Sequence, residues 1–421
     1  MNVLEHVFEE HYKLFGKKPY VIASAPGRID FLNTHQDYKG LPVVSVAVNM
    51  RTYIALSESE GKSHIISLNL MHEGLPYIDV FSINNLNLLP SDFFGNYLRA
   101  TLLLFKEKYK LRINDLNILI YSEIPIGAGL ASSAALIVSF IKAIDELYGL
   151  GLKQHEIAED AYIAEHEVLG IPCGRLDQYA SAIGGVLIIK TKPPVITEKL
   201  PIPNGLFLVI DSGIRHKTIN IHSIRQKELK EALEMLCSMQ ELGEGLKQSL
   251  CKGIDEVEWE KLDLRILNKY LYKLPENLRN RILFTIKMNE STKLAIRVLR
   301  GKTVSINELI KVLGDEYFRQ YYKSHNMLDL IGLFMNYQHI LLRDYYEVSH
   351  PFIEEIRNYV LKLGAYGVKL SGAGLGGSLI ALTSNYWEAE NILKQVKLVK
   401  KVRGWIIRVE EEGVRTEYVL K

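Results

Sequence analysis

Cysteine is scarce in this chain of 421 residues, which has only Cys173, Cys237 and Cys251. Their spacing is not that of a metal site and their number is odd, so a reduced compartment is expected. Charge bias is also missing: 51 Lys and Arg face 49 Asp and Glu, a formal net charge of +2. That excludes the basic footprint of a nucleic-acid binder and the composition of a disordered, highly charged chain. There is no internal repeat and no low-complexity tract. The opening run MNVLEHVFEEHYKLFG carries acidic residues and no apolar core segment, unlike a signal peptide, so a cytoplasmic protein is expected. The uncharged stretch between Glu123 and Lys142 approaches the ~18 residues of a membrane span. Pro, Gly and Ser crowd its first half and only its second half has helical texture, so no membrane partner is expected.

What is present is ordinary globular material, 48% hydrophobic and 24% charged. Its length is large for one core, so two domains are expected, 1–192 and 193–421, divided at the Pro-rich KTKPPVITEKLPIPNG. Val3–Phe15 has an amphipathic helical period. Tyr20–Ser24 reads as a strand, and Val43–Val48 with Thr52–Ser57 as a strand pair. Asn96–Tyr109 and His155–Leu169 read as helices. Gly185–Thr191 and Leu206–Ile210 read as strands, and residues 224–334 are mostly helical in texture.

The chemistry concentrates on EIPIGAGLASSAAL, Glu123–Leu136. A short apolar strand, Leu116–Tyr121, precedes it, and Ile137, Ile141, Ile144 and Tyr148 follow at helical spacing. Glycines let backbone approach a ligand closely, and the first N–H groups of a helix have no intrahelical partner, so an anion, above all phosphate, suits the turn. The Walker A lysine is lacking; Ser132 and Ser133 stand in its place, with Ser133 able to reach a phosphate-bound Mg²⁺. Glu165 and Asp177 flank a helix end and suit one metal contact and one base, or for Asp177 simply a helix cap. Arg28 is early in the chain but could meet Asp177 in the fold. A second glycine turn, Ser371–Gly377, reads either as part of the same site or as a tight hairpin under a sheet.

Three ordered segments, SAPGRIDFLNTHQDYKG, PIGAGLASSAA and KLSGAGLGGS, resemble the motifs of the GHMP small-molecule kinases. GRIDFLNTHQDYKGL is similar to the galactokinase form GRVNLIGEHTDYNGG, and AEHEVLGIPCGRLDQYAS to AExxxxGxPCGxxDQ. DSGIRHK and LRDYYEVSHP also look like galactokinase segments. Mevalonate and homoserine kinases share the glycine loops but not the HxDY and PCGxxDQ segments.

The resemblance implies an α+β, two-lobed fold, with a ribosomal-protein-S5-like N-terminal lobe, a ferredoxin-like C-terminal lobe and the site in the cleft. It implies ATP-dependent phosphorylation of a sugar at C1 by a monomer or small homo-oligomer. Gly127, Gly129, Leu130, Ser132, Ser133 and Ala134 would hold ATP, with Ser133 and Glu165 near Mg²⁺. Asp177 and Arg28 would be catalytic, and Asp30, Thr34, His35, Asp37, Gly174 and Gly374 would shape the sugar site. Two departures bear on the sugar. The Glu expected to contact the C6 hydroxyl is Thr34, and the Tyr expected after Arg215-His216 is missing from KTINIHSIR. Galactose ranks first, with galacturonate or a pentose such as arabinose next. The rival from another class is a catalytically silent sugar and ATP sensor.

Overall fold

The apolar, β-branched runs of the first half pair into a sheet that the end of the chain then joins. The computed structural model describes residues 2–90, 93–214 and 218–420; Arg215, His216 and Lys217 lie outside them. The strands are β1 (Val21–Leu32), β2 (Val43–Glu58), β3 (Ser63–Ser67), β4 (Ile78–Phe81), β5 (Leu116–Ser122), β6 (Val186–Lys190), β7 (Ile196–Leu200), β8 (Leu206–Asp211), β9 (Gly367–Ser371), β10 (Ser378–Thr383), β11 (Arg403–Ile407) and β12 (Arg415–Val419). Among the described residues, the large sheet runs β12-β1-β2-β5-β3-β4, with β6 on the first half of β2 and β7 on β6.

Val43–Val48 and Thr52–Ser57 are not a pair but one continuous strand. The first half of β2 lies against β6 (Val43 opposite Ile189), and its second half lies against β5 (Thr52 opposite Ser122). β1 likewise outruns the expected Tyr20–Ser24 and carries the whole SAPGRIDFL run, buried along its length. Its register against β2 shifts between Pro26 and Arg28 and again between Asp30 and Leu32. Such bulges re-aim side chains, here in the stretch that holds Arg28 and Asp30.

The second sheet, β11-β8-β10-β9, is antiparallel throughout. Helices fill the long connection from β8 to β9, and Tyr386–Lys400 joins β10 to β11. Numbered locally, this is a βαββαβ unit in the order 4-1-3-2, the ferredoxin-like arrangement. The expected division at 192/193 falls inside the β6–β7 hairpin, so β7 belongs to the large sheet, as does β12. The two sheets also share one apolar core, in which Ile29, Phe31 and Val46 pack with Phe207, Val209 and Ile380, and the Phe31 and Phe207 rings meet edge to face at 5.1 Å. Buried Arg51 fastens the returning C-terminal segment, donating to the carbonyls of Glu412 (3.2 Å) and Gly413 (2.6 Å).

The cysteine expectation is corrected. Cys237 and Cys251 form a disulfide, and Cys173 is the free thiol. The odd total hid a pair that closes a short loop beside the satellite core built on Leu229, Trp259 and Leu267. No helix among the described residues is long and apolar enough to cross a membrane.

Candidate active site

A cleft of about 500 Å³ opens between the two sheets, lined by the Gly127–Ser133 turn, the Ser371–Gly377 turn and the end of β1. Left-handed backbone, one close approach and tied carbonyls make the phosphate-type turn. Gly127, Gly129 and Ala131 adopt left-handed backbone at φ 70°, 69° and 58°, and helix Ser132–Tyr148 follows at once. Gly27 lets β1 press against the turn, because a Cβ there would lie 2.6 Å from the Leu130 carbonyl oxygen. Three successive turn carbonyls are tied from behind: Ala128 accepts from Ser378 Oγ (2.6 Å), Gly129 from Arg28 Nη1 (2.7 Å) and Leu130 from the Arg28 N–H (3.0 Å). With its carbonyls held, the turn offers its amides and the helix N-terminus to an anion.

Arg28 also reaches Asp177, 149 residues away in sequence. Nε donates to Oδ1 and Nη2 to Oδ2, both at 2.8 Å, a two-pronged pair that fixes the plane of the carboxylate. Asp177 stands in the first turn of helix Leu176–Ile183. Glu165 arrives from the other side on a π-turn, Ala164–Val168, that ends helix Gln154–Ile163; the uninterrupted helix expected over His155–Leu169 is broken there. Such widened turns often re-aim one side chain in a site. Glu165 is buried and accepts from Gln178 Nε2 at 2.7 Å. Burial, reinforced by the Asp177 charge, raises its pKa to about 7, and hydrogen bonds from Gln178 and Ser133 pull the other way.

The opposite end of the cleft is acidic. Asp37 is half-buried against Gly174, where a Cβ would lie only 1.9 Å from Asp37 Oδ2, so only glycine fits. Burial, then the Asp177 and Asp30 charges, raise the Asp37 pKa to about 6. Asp30 is 5% exposed, and burial raises its pKa against the pull of Lys369 and Arg28. His35 takes left-handed backbone at φ 63°, and its ring sits 4.9 Å from that of buried Tyr346. Tyr346 hydrogen-bonds Tyr38 and stacks on Phe284 at 4.2 Å. Lys39, fully buried, lies 4.7 Å from the Phe284 ring and 5.0 Å from that of Tyr346, and donates to Thr285 Oγ1 at 3.0 Å. Gly374 closes this wall where a Cβ would meet the Val348 carbonyl oxygen at 2.5 Å.

The cleft thus gathers Arg28, Asp30, His35, Asp37, Gly127, Gly129, Leu130, Ser132, Ser133, Glu165, Gly174, Asp177 and Gly374 from the sequence reading. Two expected residues do not line it. Ala134 is fully buried within the first helical turn. Thr34 is 1% exposed, and its hydroxyl accepts from Lys369 Nζ at 2.7 Å, so it faces a buried ammonium rather than the cleft. Arg215 and His216 lie outside the described residues. Tyr97, Cys173 and Ser371 line the cleft without having been singled out. Burial, then the Glu165 and Cys173 charges, push the Tyr97 hydroxyl up to about 12. Ser371, inside the second glycine turn, and Cys173, inside the PCGRLDQ segment, had a sequence signal; Tyr97 is one helix residue among many.

Comparison with known proteins agrees with this architecture. Residues 96–185 match the GHMP kinases N terminal domain and residues 324–401 the GHMP kinases C terminal domain, and residues 9–58 match the galactokinase galactose-binding signature. The chain belongs to the GHMP kinases. Within that family it resembles galactokinases. It is 28% identical over 393 residues to the galactokinase of Clostridium perfringens, covering 91% of this chain and 90% of that one. It is 27% identical over 367 residues to that of Pyrococcus furiosus, covering 86% and 88%. In fold it superposes on the galactose complex of Lactococcus lactis galactokinase with a TM-score of 0.77 at 21% identity, covering 98% and 100%. On Methanococcus jannaschii mevalonate kinase the TM-score is 0.61 at 19% identity, covering 93% and 98%.

Proposed function

We propose that this GHMP kinase is an ATP-dependent sugar 1-kinase whose acceptor is galactose or a close analogue. The observation that carries the reading is the Arg28–Asp177 pair, which joins the phosphate-type turn to the acidic end of one cleft. Phosphoryl transfer has a loose, charge-spread transition state, so positioned charges and amides supply most of the catalysis. In this reading the turn amides and Ser132 hold the nucleotide phosphates. Arg28 lies between Asp177 and the transferring group, where a planar cation meets developing negative charge. Asp177 accepts the proton of the anomeric hydroxyl, the most acidic hydroxyl of a free sugar, so a modest base suffices. His35 and Asp37 pair with sugar hydroxyls.

The Ser133 hydroxyl and the Glu165 carboxylate are hard oxygen donors that fit Mg²⁺, an ion that leaves most of its coordination to water and phosphate. Among the described residues no group of three or more His, Cys, Asp or Glu is gathered for a metal, in keeping with a site completed by ATP. When bound there, Mg²⁺ would neutralise charge on the nucleotide phosphates. Burial raises the Glu165 pKa to about 7, which a cation held beside it would lower.

The test is ATP consumption by the full chain with a panel of free sugars and Mg²⁺, with the position of the new phosphate read by phosphorus NMR. Sugar-dependent consumption giving an anomeric phosphate is expected. Binding of sugar and ATP without turnover would replace this reading by the sensor.

A further inference from the structure

Beneath the acidic end of the cleft lies a lysine that phosphoryl transfer does not use. Lys369 stands in the middle of β9 and is fully buried. Its Nζ donates to the Asp30 carbonyl oxygen at 3.0 Å and to Thr34 Oγ1 at 2.7 Å. Both acceptors are neutral, so neither compensates the ammonium. Asp30 is the acid beside it: its own carbonyl holds Nζ at 3.0 Å, which keeps its carboxyl near the ammonium without direct contact, and its charge is the main influence raising the Lys369 pKa against burial, as Lys369 is the main one lowering that of Asp30. The dependence is therefore mutual. Asp30 is clamped to the same strand by its backbone, its N–H donating to Ser371 Oγ at 3.1 Å. Its side chain lines the cleft; the Thr34 hydroxyl lies close enough to favour the ionised carboxyl, while Oδ1 is buried with no hydrogen-bond partner.

A buried carboxylate oxygen left unpaired is costly, and an acceptor hydroxyl is the donor that would relieve it. The charges at this end are Asp30, Asp37 and Asp177 against Arg28, already engaged by Asp177, Lys369 below the floor, and Lys39, which is buried against the Phe284 and Tyr346 rings. Arg28 is held by Asp177 and Lys39 by Thr285, so a second carboxylate placed against Asp30 would meet a like charge. Thr34 offers the lysine only a neutral hydroxyl, which leaves Asp30 as the acid beside it.

We propose that Lys369 and Asp30 act as one charge-compensated pair that sets acceptor selectivity, with Asp30 taking a hydrogen bond from a hydroxyl of a neutral sugar and rejecting sugars that bear a carboxylate. Lys369 is the positioning residue: it touches no substrate and acts through Asp30. The inference rests on the sugar-kinase reading and narrows its substrate class, setting galacturonate aside.

The experiment measures kcat and KM for galactose and galacturonate, and KM for ATP, in the full chain and in Lys369→Met, Asp30→Asn and the double variant. Wild type should favour galactose by about 100-fold or more, since a like charge meets the acid sugar. Lys369→Met should raise the galactose KM about tenfold while the ATP KM stays within about threefold, because breaking one partner strands the other. The double variant should recover most of that loss, since Asn needs no counter-charge yet still offers an acceptor. A merely structural lysine would not be rescued by changing Asp30. Preference for galacturonate, an unchanged galactose KM in Lys369→Met, or effects that simply multiply in the double variant would each overturn the inference. If Lys369→Met does not fold, the double variant decides: a near-wild-type galactose KM upholds the pair, and a folded protein without galactose turnover refutes it. Wild type consuming no ATP with any sugar would instead refute the sugar-kinase reading, before any variant is compared.

Discussion

Asp177→Asn probes the centre of the proposed mechanism with little change in shape. In the folded chain both carboxylate oxygens of Asp177 accept from Arg28 at 2.8 Å. The amide keeps one acceptor and turns an NH₂ toward the other guanidinium donor, so one of the two prongs is lost. The amide also cannot take a proton from the acceptor hydroxyl. A general base contributes about 10²–10⁴-fold, which is about 3–5 kcal/mol of barrier. The nucleotide turn should be little disturbed, since Arg28 keeps its bonds to the Gly129 carbonyl oxygen (2.7 Å) and, through its backbone N–H, to that of Leu130 (3.0 Å). The expected outcome is kcat reduced at least 100-fold with ATP affinity, read by calorimetry, within about threefold of wild type. A variant that retained more than a tenth of the wild-type kcat would show that Asp177 is not the base. One that lost ATP binding in parallel would show that the Arg28–Asp177 pair serves the turn rather than the chemistry.

Three further outcomes are expected. Ser133→Ala and Glu165→Ala should each raise the Mg²⁺ concentration for half-maximal activity, and unchanged midpoints in both would remove the metal assignment. Asp37→Asn should stabilise the ligand-free protein at neutral pH. The folded-state pKa of Asp37 is raised from 3.8 to about 6, so its ionisation costs stability progressively as pH rises from about 4 to about 6, by at most about 3 kcal/mol. Thermal melts of the variant should therefore exceed wild type at pH 7 and converge with it near pH 4; a constant gap would refute that origin. Reducing the Cys237–Cys251 bond, whose partners are 14 residues apart, should cost about 3 kcal/mol of stability by loop-closure entropy with kcat unchanged, and a melting temperature that does not move on reduction would refute it.

The elements easiest to read in the sequence were those with local causes. Val3–Phe15 has its helical period, its Asn2–Glu5 capping box and Gly16 in left-handed conformation, all within one short window. The turn into helix Ser132–Tyr148 was legible for the same reason. The longer strands were not. A Met-Arg pair at the centre of β2 looks like a turn, yet β2 stays continuous because β6 and β5 pair with its successive halves. Those partners lie 58 or more residues away in sequence, Glu58 opposite Leu116 being the nearest, and periodicity cannot see them. The same holds for the disulfide, since an odd count of cysteines says nothing about which two come within bonding distance.

Thr34 shows where motif reading stops in the site itself. The phosphate half of the cleft is built from backbone: glycines in left-handed conformation, tied carbonyls and a helix start. Such a feature is specified by the residues that permit the conformation, so it stays legible when its surroundings change. The acidic half is built from side chains on β1, the segment after it, helix Leu176–Ile183 and β9, and each one's direction depends on what the others do. Reading Thr34 at its aligned place puts it against the sugar. Lys369, 335 residues later, takes its hydroxyl and turns it under the floor. A lysine in an apolar strand, Gly367–Ser371, carries no motif of its own, yet its burial obliges some neighbouring acid to compensate it. In this chain that acid is Asp30, at a position where the galactokinase pattern has a neutral Asn. The two departures at 30 and 34 therefore meet at one place: the Asp30 carbonyl and the Thr34 hydroxyl both accept from the Lys369 ammonium.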